Sequence, residues 1–224
     1  MRRHGVDERD SHCRISMLHK VSPAGALTPQ SGPNPNASYE DSVMATRPLP
    51  SIEMLGQLLT YEAELGRLFW KPRPRGMFPD QRAFSTWNAR FAGSEALTAD
   101  NGFGYRAGSI NGQRHRAHRV AWTLAYGAWP DQDIDHINGD KSDNRLCNLR
   151  LATNSQNQMN RGAPATNTSG FKGVSWHASS KRWQARIKVR GVQTTLGYFD
   201  TAAEAHDAYT AAAAVAHGQF ARTD

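Results

Sequence analysis

A chain of 224 residues can hold one or two small domains, and a hydrophobic share of 38% argues for small cores separated by exposed segments. A formal net charge of +7 points to a polyanionic partner. Nothing approaches the roughly 18 apolar residues of a membrane span. The two cysteines, Cys13 and Cys147, are too few for a disulfide framework or a four-cysteine zinc knuckle. With no apolar signal-peptide core at the start, the expected location is the cytoplasm.

Residues 1–48 mix charge with Ser, Pro and Asn and lack apolar periodicity, so they are expected to be disordered. From Ser51 a helical pattern, SIEMLGQLL, leads into LTYEAELGRLFW, read as a hairpin whose Leu68, Phe69 and Trp70 close a small core. RPRGMFPD is a loop. In FSTWNARFAG, Trp87 and Phe91 stand four apart and are expected to anchor a helix in the core. YRAGSI and QRHRAH flank Asn111-Gly112, a strong hairpin signal. AHRVAWTLAYG then reads as an amphipathic helix with Val120, Ala121, Leu124 and Ala125 inward and Gly127 as its stop.

Residues 133–161, DIDHINGDKSDNRLCNLRLATNSQNQMNR, concentrate polar chemistry in one short unit. Asp135 and His136 end a strand, Asn138-Gly139-Asp140 supplies a turn, Leu149-Arg150-Leu151 returns, and Thr153 to Ser155 offer caps to a helix bearing Asn157 and Asn160. The implied unit is ββα. Asp135-His136, Asn148 twelve residues past the histidine and Asn157 nine further resemble the HNH nuclease motif, in the phage and homing endonuclease variant that ends in asparagine.

Phosphodiester hydrolysis needs an activated water and positive charge beside the phosphate and the leaving 3′ oxygen. A neutral imidazole suits the first task, which makes His136 the expected general base. A hard cation, Mg²⁺ or Mn²⁺, needs few protein oxygens beside a phosphate, and Asp135 and Asn157 are the expected ligands. Asn148 is expected to accept the histidine N–H and fix its tautomer. Asn144 reads as a cap or hairpin residue, close enough in sequence to exchange roles with Asn148. His118-Arg119 recurs in the nucleases that this chain resembles; a phosphate-facing or orienting role stands there against simple packing.

Residues 162–169 form a linker between a nuclease domain at 49–161 and a second domain at 170–221. In the second domain's middle strand, Trp183, Ala185, Ile187 and Val189 alternate with Arg182, Gln184, Arg186, Lys188 and Arg190, giving one apolar and one basic face. The terminal helix opens with a Thr201/Glu204 capping box and packs Ala205, Ala208, Tyr209, Ala212 and Ala216 against the sheet. GFKGVSW, the RW…I strand, LGYFDTAAEAHDAY and AHGQFA resemble the AP2 DNA-binding domain of plant factors. That resemblance implies DNA contacts at Lys172, Arg186, Lys188 and Arg190, with Arg182 and Thr195 as further positions. Ser175, Gln193 and Thr195 depart from the plant pattern, so base preference does not transfer. Trp176 is open between core and base contact.

The expected architecture is α+β: a ββα-metal unit followed by an AP2-like three-stranded antiparallel sheet on one helix. The expected function is metal-dependent cleavage of double-stranded DNA by a monomer or transient dimer, with neither membrane nor small-molecule cofactor. Residues 116–161 carry six basic and five acidic side chains, enough acid for a cation, whereas 169–224 carry seven and four, favouring phosphate. A non-catalytic DNA-binding regulator with a vestigial nuclease unit is the rival. An RNA-binding module would show aromatic platforms on the basic face instead.

Overall fold

The structure, a computed structural model, describes residues 48–164 and 166–223. The segment expected to be disordered therefore lies, apart from Pro48, outside the described residues. Among the latter are five α-helices and four small antiparallel sheets, an α+β arrangement. No helix among them is long and apolar enough to cross a membrane.

Helix α1 (Ile52–Leu58) leads into β1 (Leu59–Glu62) and β2 (Arg67–Trp70), a hairpin whose turn needs the positive φ of Gly66 (68°). After α2 (Gln81–Phe91) come β3 (Glu95–Ala96), which pairs with β2, and β4 (Ala99–Asp100). Strands β5 (Arg106–Ile110) and β6 (Gln113–Arg116) are joined by Asn111-Gly112, both at positive φ as a tight hairpin turn demands. Helix α3 (Ala117–Tyr126) stops at Gly127 in the left-handed region. Leu55, Leu58, Leu68, Ile110 and Val120 join these elements in one buried core. Two side-chain expectations fail. Ala125 is exposed and Thr123 is buried instead, because its hydroxyl donates back to the Arg119 carbonyl at 2.8 Å and so loses its need for water. Trp87 and Phe91 are only half-buried, and α2 buries no residue completely.

Strand β7 (Asp133–His136) pairs with β8 (Leu149–Ala152), and α4 (Asn154–Met159) follows behind a Thr153/Gln156 capping box. The order is strand, turn, strand, helix. Buried Ile134, Leu149 and Ala152 hold the pair together.

Strands β9 (Val174–His177), β10 (Arg182–Val189) and β11 (Val192–Phe199) form an antiparallel sheet with β10 central, covered on one face by α5 (Ala202–His217). Val174, Ala185 and Ile187 meet Ala205, Tyr209 and Ala213 across this layer. Small helix residues let sheet and helix approach closely. At Gly173 (φ 76°) a Cβ would stand 2.2 Å from the Tyr209 ring, so only glycine fits. A register shift between Ala185 and Arg186 leaves Leu196 as an extra residue in β11, where it turns into the core.

Candidate functional site

An open cleft of about 880 Å³ runs between β7, α4 and the segment after α4, and Asp135, His136 and Asn157 all line it. Lys141, Arg161, Lys172 and Arg222 also reach its walls, so cations surround the carboxylate-bearing strand. Such a groove suits a phosphate backbone.

His136 is 4% exposed, and its Nε2 lies 3.1 Å from Oδ1 of Asn144. An amide oxygen only accepts, so Nε2 carries the hydrogen and the neutral ring keeps its lone pair on Nδ1. Burial pushes the His136 pKa below the ordinary histidine value, against the opposing pull of the Asn144 bond and nearby aspartates. The ring is neutral at pH 7. Asn148 does not touch it: Oδ1 accepts from the Asn138 N–H at 2.9 Å and Nδ2 donates to the Asp143 carbonyl at 2.8 Å. Asn148 therefore clamps the turn and Asn144 aims the histidine, the reverse of the expected roles. The reason is reach, since Asn148 faces inward from the start of β8 onto the turn backbone. Asn144 is itself held by the N-terminal hairpin. The Tyr61 hydroxyl donates to its carbonyl at 2.8 Å, and a Cβ on Gly66 would strike its carbonyl carbon at 2.7 Å.

Asp135 is 5% exposed and directly opposite Arg150 in the β7–β8 register. Nε of Arg150 donates to Oδ2 at 2.8 Å; Nη2 sits 2.7 Å from the same oxygen, too bent for a hydrogen bond yet close enough for Coulombic attraction. Asn160 donates to both carboxylate oxygens, at 2.9 and 3.0 Å, and to the His136 carbonyl at 2.7 Å. Asn160, the C-cap of α4, thus locks the Asp135-His136 pair onto the end of that helix. Arg150 also lies 3.9 Å from the Phe220 ring centroid and donates through Nη1 to the Gln219 carbonyl, so the turn after α5 reaches the β7–β8 pair. Register would have exposed Arg150 in the sequence; the Asn160 bonds carry no local signal. No three His, Cys, Asp or Glu side chains gather as a metal-binding group among the described residues. The oxygens lining the cleft include Oδ1 of Asp135, which accepts from Asn160 on the side away from Arg150, the exposed Asp133 carboxylate and the half-buried Asn157 amide.

His118 is 3% exposed, its ring 5.1 Å from His136 at 89° and 5.2 Å from Tyr105. Burial first, then the charges of His136, Arg116 and Arg119, push its pKa down to about 3. It packs as a buried ring between Tyr105 and His136. Arg119 holds the loop before β7 through the Pro130 and Gln132 carbonyls, at 2.7 and 3.1 Å. Tyr105 carries no motif signal in the sequence. Arg116 and Lys141 stand 5.1 and 4.9 Å from its ring centroid, and of these two cations Lys141 lines the cleft.

In the C-terminal sheet, Arg186, Lys188 and Thr195 are exposed on the face away from α5. The Gln193 carboxamide, set with its oxygen toward Arg186, accepts from Nη1 at 3.1 Å. Gln184 on that face is only 9% exposed, because it donates to Thr195 Oγ1 and the Tyr198 hydroxyl. Three expected positions differ. Arg190 is in the turn at φ 49° beyond the end of β10; Arg182 is ion-paired with Asp200 at 2.7 Å; Lys172 donates to the Met159 carbonyl and lines the cleft beside β7. Trp176 is 51% exposed and packs edge-on against Trp183, its register partner.

The HNH endonuclease family profile matches residues 115–159, from β6 to the end of α4. Protein 3.8 of Escherichia phage T7 is 36% identical over 108 residues, which span 48% of this chain and 88% of that protein. No solved structure matches significantly. The chain thus belongs to the same family as phage T7 Protein 3.8, and its residues 115–159 form an HNH endonuclease domain.

Proposed function

We propose that this protein is a metal-dependent DNA endonuclease with His136 as general base. The observation that carries the reading is the Asn144 bond, which leaves the Nδ1 lone pair of a neutral, buried imidazole available to take a proton from water. That water attacks phosphorus, the bond to the 3′ oxygen breaks, and a 5′-phosphate results. Lys141 and Arg161 at the cleft wall meet the strand's phosphates, and Tyr105 keeps Lys141 in place.

Mg²⁺ or Mn²⁺ fits the oxygen donors, with Asp135 Oδ1 and the Asn157 amide as its protein ligands. Once bound beside the phosphate, such an ion offsets charge on its oxygens and on the leaving group. Arg150 already neutralises part of the Asp135 carboxylate, so affinity for the ion is weak until a phosphate adds its own oxygens. Residues 49–161 serve as the nuclease domain, 162–169 as the linker, and 170–221 as an AP2-like module. Arg186, Lys188 and Thr195 offer that module's open face to duplex DNA.

Plasmid cleavage with Mg²⁺, Mn²⁺ or EDTA tests this directly. Nicking or linearisation should need the metal, fall by about 10²–10⁴ in His136→Ala, and weaken through binding in Arg186→Ala/Lys188→Ala. The rival is a DNA-binding protein without catalysis, favoured by the Asp135–Arg150 pair that occupies the expected ligand. Salt-sensitive duplex binding with no cutting in any metal would establish it.

A further inference from the structure

An open, aromatic-lined groove outside the cleft lies along α2, where the sequence pattern implies a core. A run of contacting aromatic rings links Trp70 to Trp87 at 5.9 Å, Trp87 to Phe78 at 6.0 Å and Trp87 to Phe91 at 5.4 Å. Phe78, Trp87 and Phe91 open into a groove of about 510 Å³ flanked by Arg82 and Arg90, within the size range of ligand sites. Its lining is half-buried aromatic surface on a helix that buries none of its residues completely. Among the described residues nothing covers this side of α2, and an open apolar face of that kind marks an interaction site.

Charge says by what. Residues 71–92 hold five basic side chains against one acidic, Asp80. Asp80 is at the groove but its carboxylate caps α2, accepting from the Ala83 N–H at 2.7 Å. Among the described residues none of Arg73, Arg75, Arg82 and Arg90 is ion-paired. Arg73 lies 4.0 Å from the Trp87 ring centroid and is pinned there by two bonds between its backbone and the Asn88 amide, while Arg90 stands 5.1 Å from Phe91. Unpaired guanidinium groups beside partly open indole and phenyl rings match a ligand with alternating anionic groups and flat faces. Duplex DNA presents the anions but keeps its base faces stacked inside, and a concave groove offers it little.

We propose that the α2 groove is a binding site for unpaired nucleotides of single-stranded DNA. Bases stack on Trp87 and Phe91, and Arg82 and Arg90 take the flanking phosphates. The site extends the DNA reading of this chain but uses none of the cleft residues, so cutting and strand binding can be separated.

The test is fluorescence anisotropy of the full chain in EDTA with a labelled 12-nucleotide single strand, and with the same sequence as duplex. The variants are Trp87→Leu, Arg82→Ser/Arg90→Ser and His136→Ala, each checked by circular dichroism. The double arginine variant changes two exposed side chains, so it probes the site even where Trp87→Leu does not fold. It should weaken single-strand binding by about tenfold or more and lower the log–log salt slope by about 1.4, near 0.7 for each phosphate no longer neutralised. Trp87→Leu should weaken binding at every salt concentration with the slope retained. His136→Ala should bind the strand like wild type whether or not the wild type cuts plasmid, which keeps failure of the nuclease reading distinct from failure of this one. Unchanged single-strand affinity in the arginine variant overturns the site. So does an equal loss on duplex, or displacement of the oligonucleotide by a poly-glutamate peptide at equal charge, which would mark a groove for acidic protein.

Discussion

Replacing Arg150 with methionine keeps much of its apolar stem and removes the guanidinium that faces Asp135. The side chains of the pair are 13% and 6% exposed, so the carboxylate is left buried without its counter-charge. Breaking one partner of such a pair costs about 3–5 kcal/mol. Asn160 still donates to both Asp135 oxygens, which moves the expected loss to the lower end, about 3 kcal/mol. The contact with the Phe220 ring adds about 1 kcal/mol. Urea unfolding followed by tryptophan fluorescence should then show a total loss of about 4 kcal/mol, a large part of a typical domain's stability. Mg²⁺ or Mn²⁺ should restore more stability to this variant than to wild type, since a carboxylate without its guanidinium offers the cation its full charge. A double-mutant cycle with Asp135→Asn isolates the pair and should give a coupling of at least about 1 kcal/mol. Strictly additive single effects, or a metal response no larger than the wild type's, would refute the electrostatic account.

Three further outcomes follow from neighbouring geometry. Asn144→Ala should cut the cleavage rate at least about tenfold and shift the acid limb of the pH–rate profile downward, because the bond it removes raises the His136 pKa; Asn148→Ala should lower stability and leave that limb in place. His118 titrates near 6.5 when unfolded and at about 3 when folded, so its contribution is complete above pH 6.5 and is lost as pH falls toward 3. By pH 4.5 the loss is about 3 kcal/mol, and His118→Phe should flatten that part of the stability curve measured by urea melts. Gly173→Ala forces a Cβ into the Tyr209 ring and a left-handed backbone, so it should destabilise the sheet–helix layer by at least about 2 kcal/mol in a thermal melt.

Much of the fold was legible because local rules act locally. Asn111-Gly112, the Thr153 cap, the Thr201 capping box and the Gly127 stop all stand where side-chain and backbone preferences put them. The site was harder to read where contacts are long-range. Asn144 and Asn148 are both asparagines in one turn, and only packing of Tyr61 and Gly66 decides which of them reaches the ring. Lys172 looked like a sheet contact from its motif, but the chain's path carries it to the end of α4. Helical spacing in Trp87 and Phe91 marked an apolar face correctly without saying that nothing described covers it.

The clasp of Phe220 and Gln219 on Arg150 limits how this protein can be rebuilt by recombination. A C-terminal sheet and helix taken from another protein would bring its own terminal turn, and with it a new neighbour for the guanidinium that restrains Asp135. A working chimera therefore needs positions 150 and 220 from the same parent.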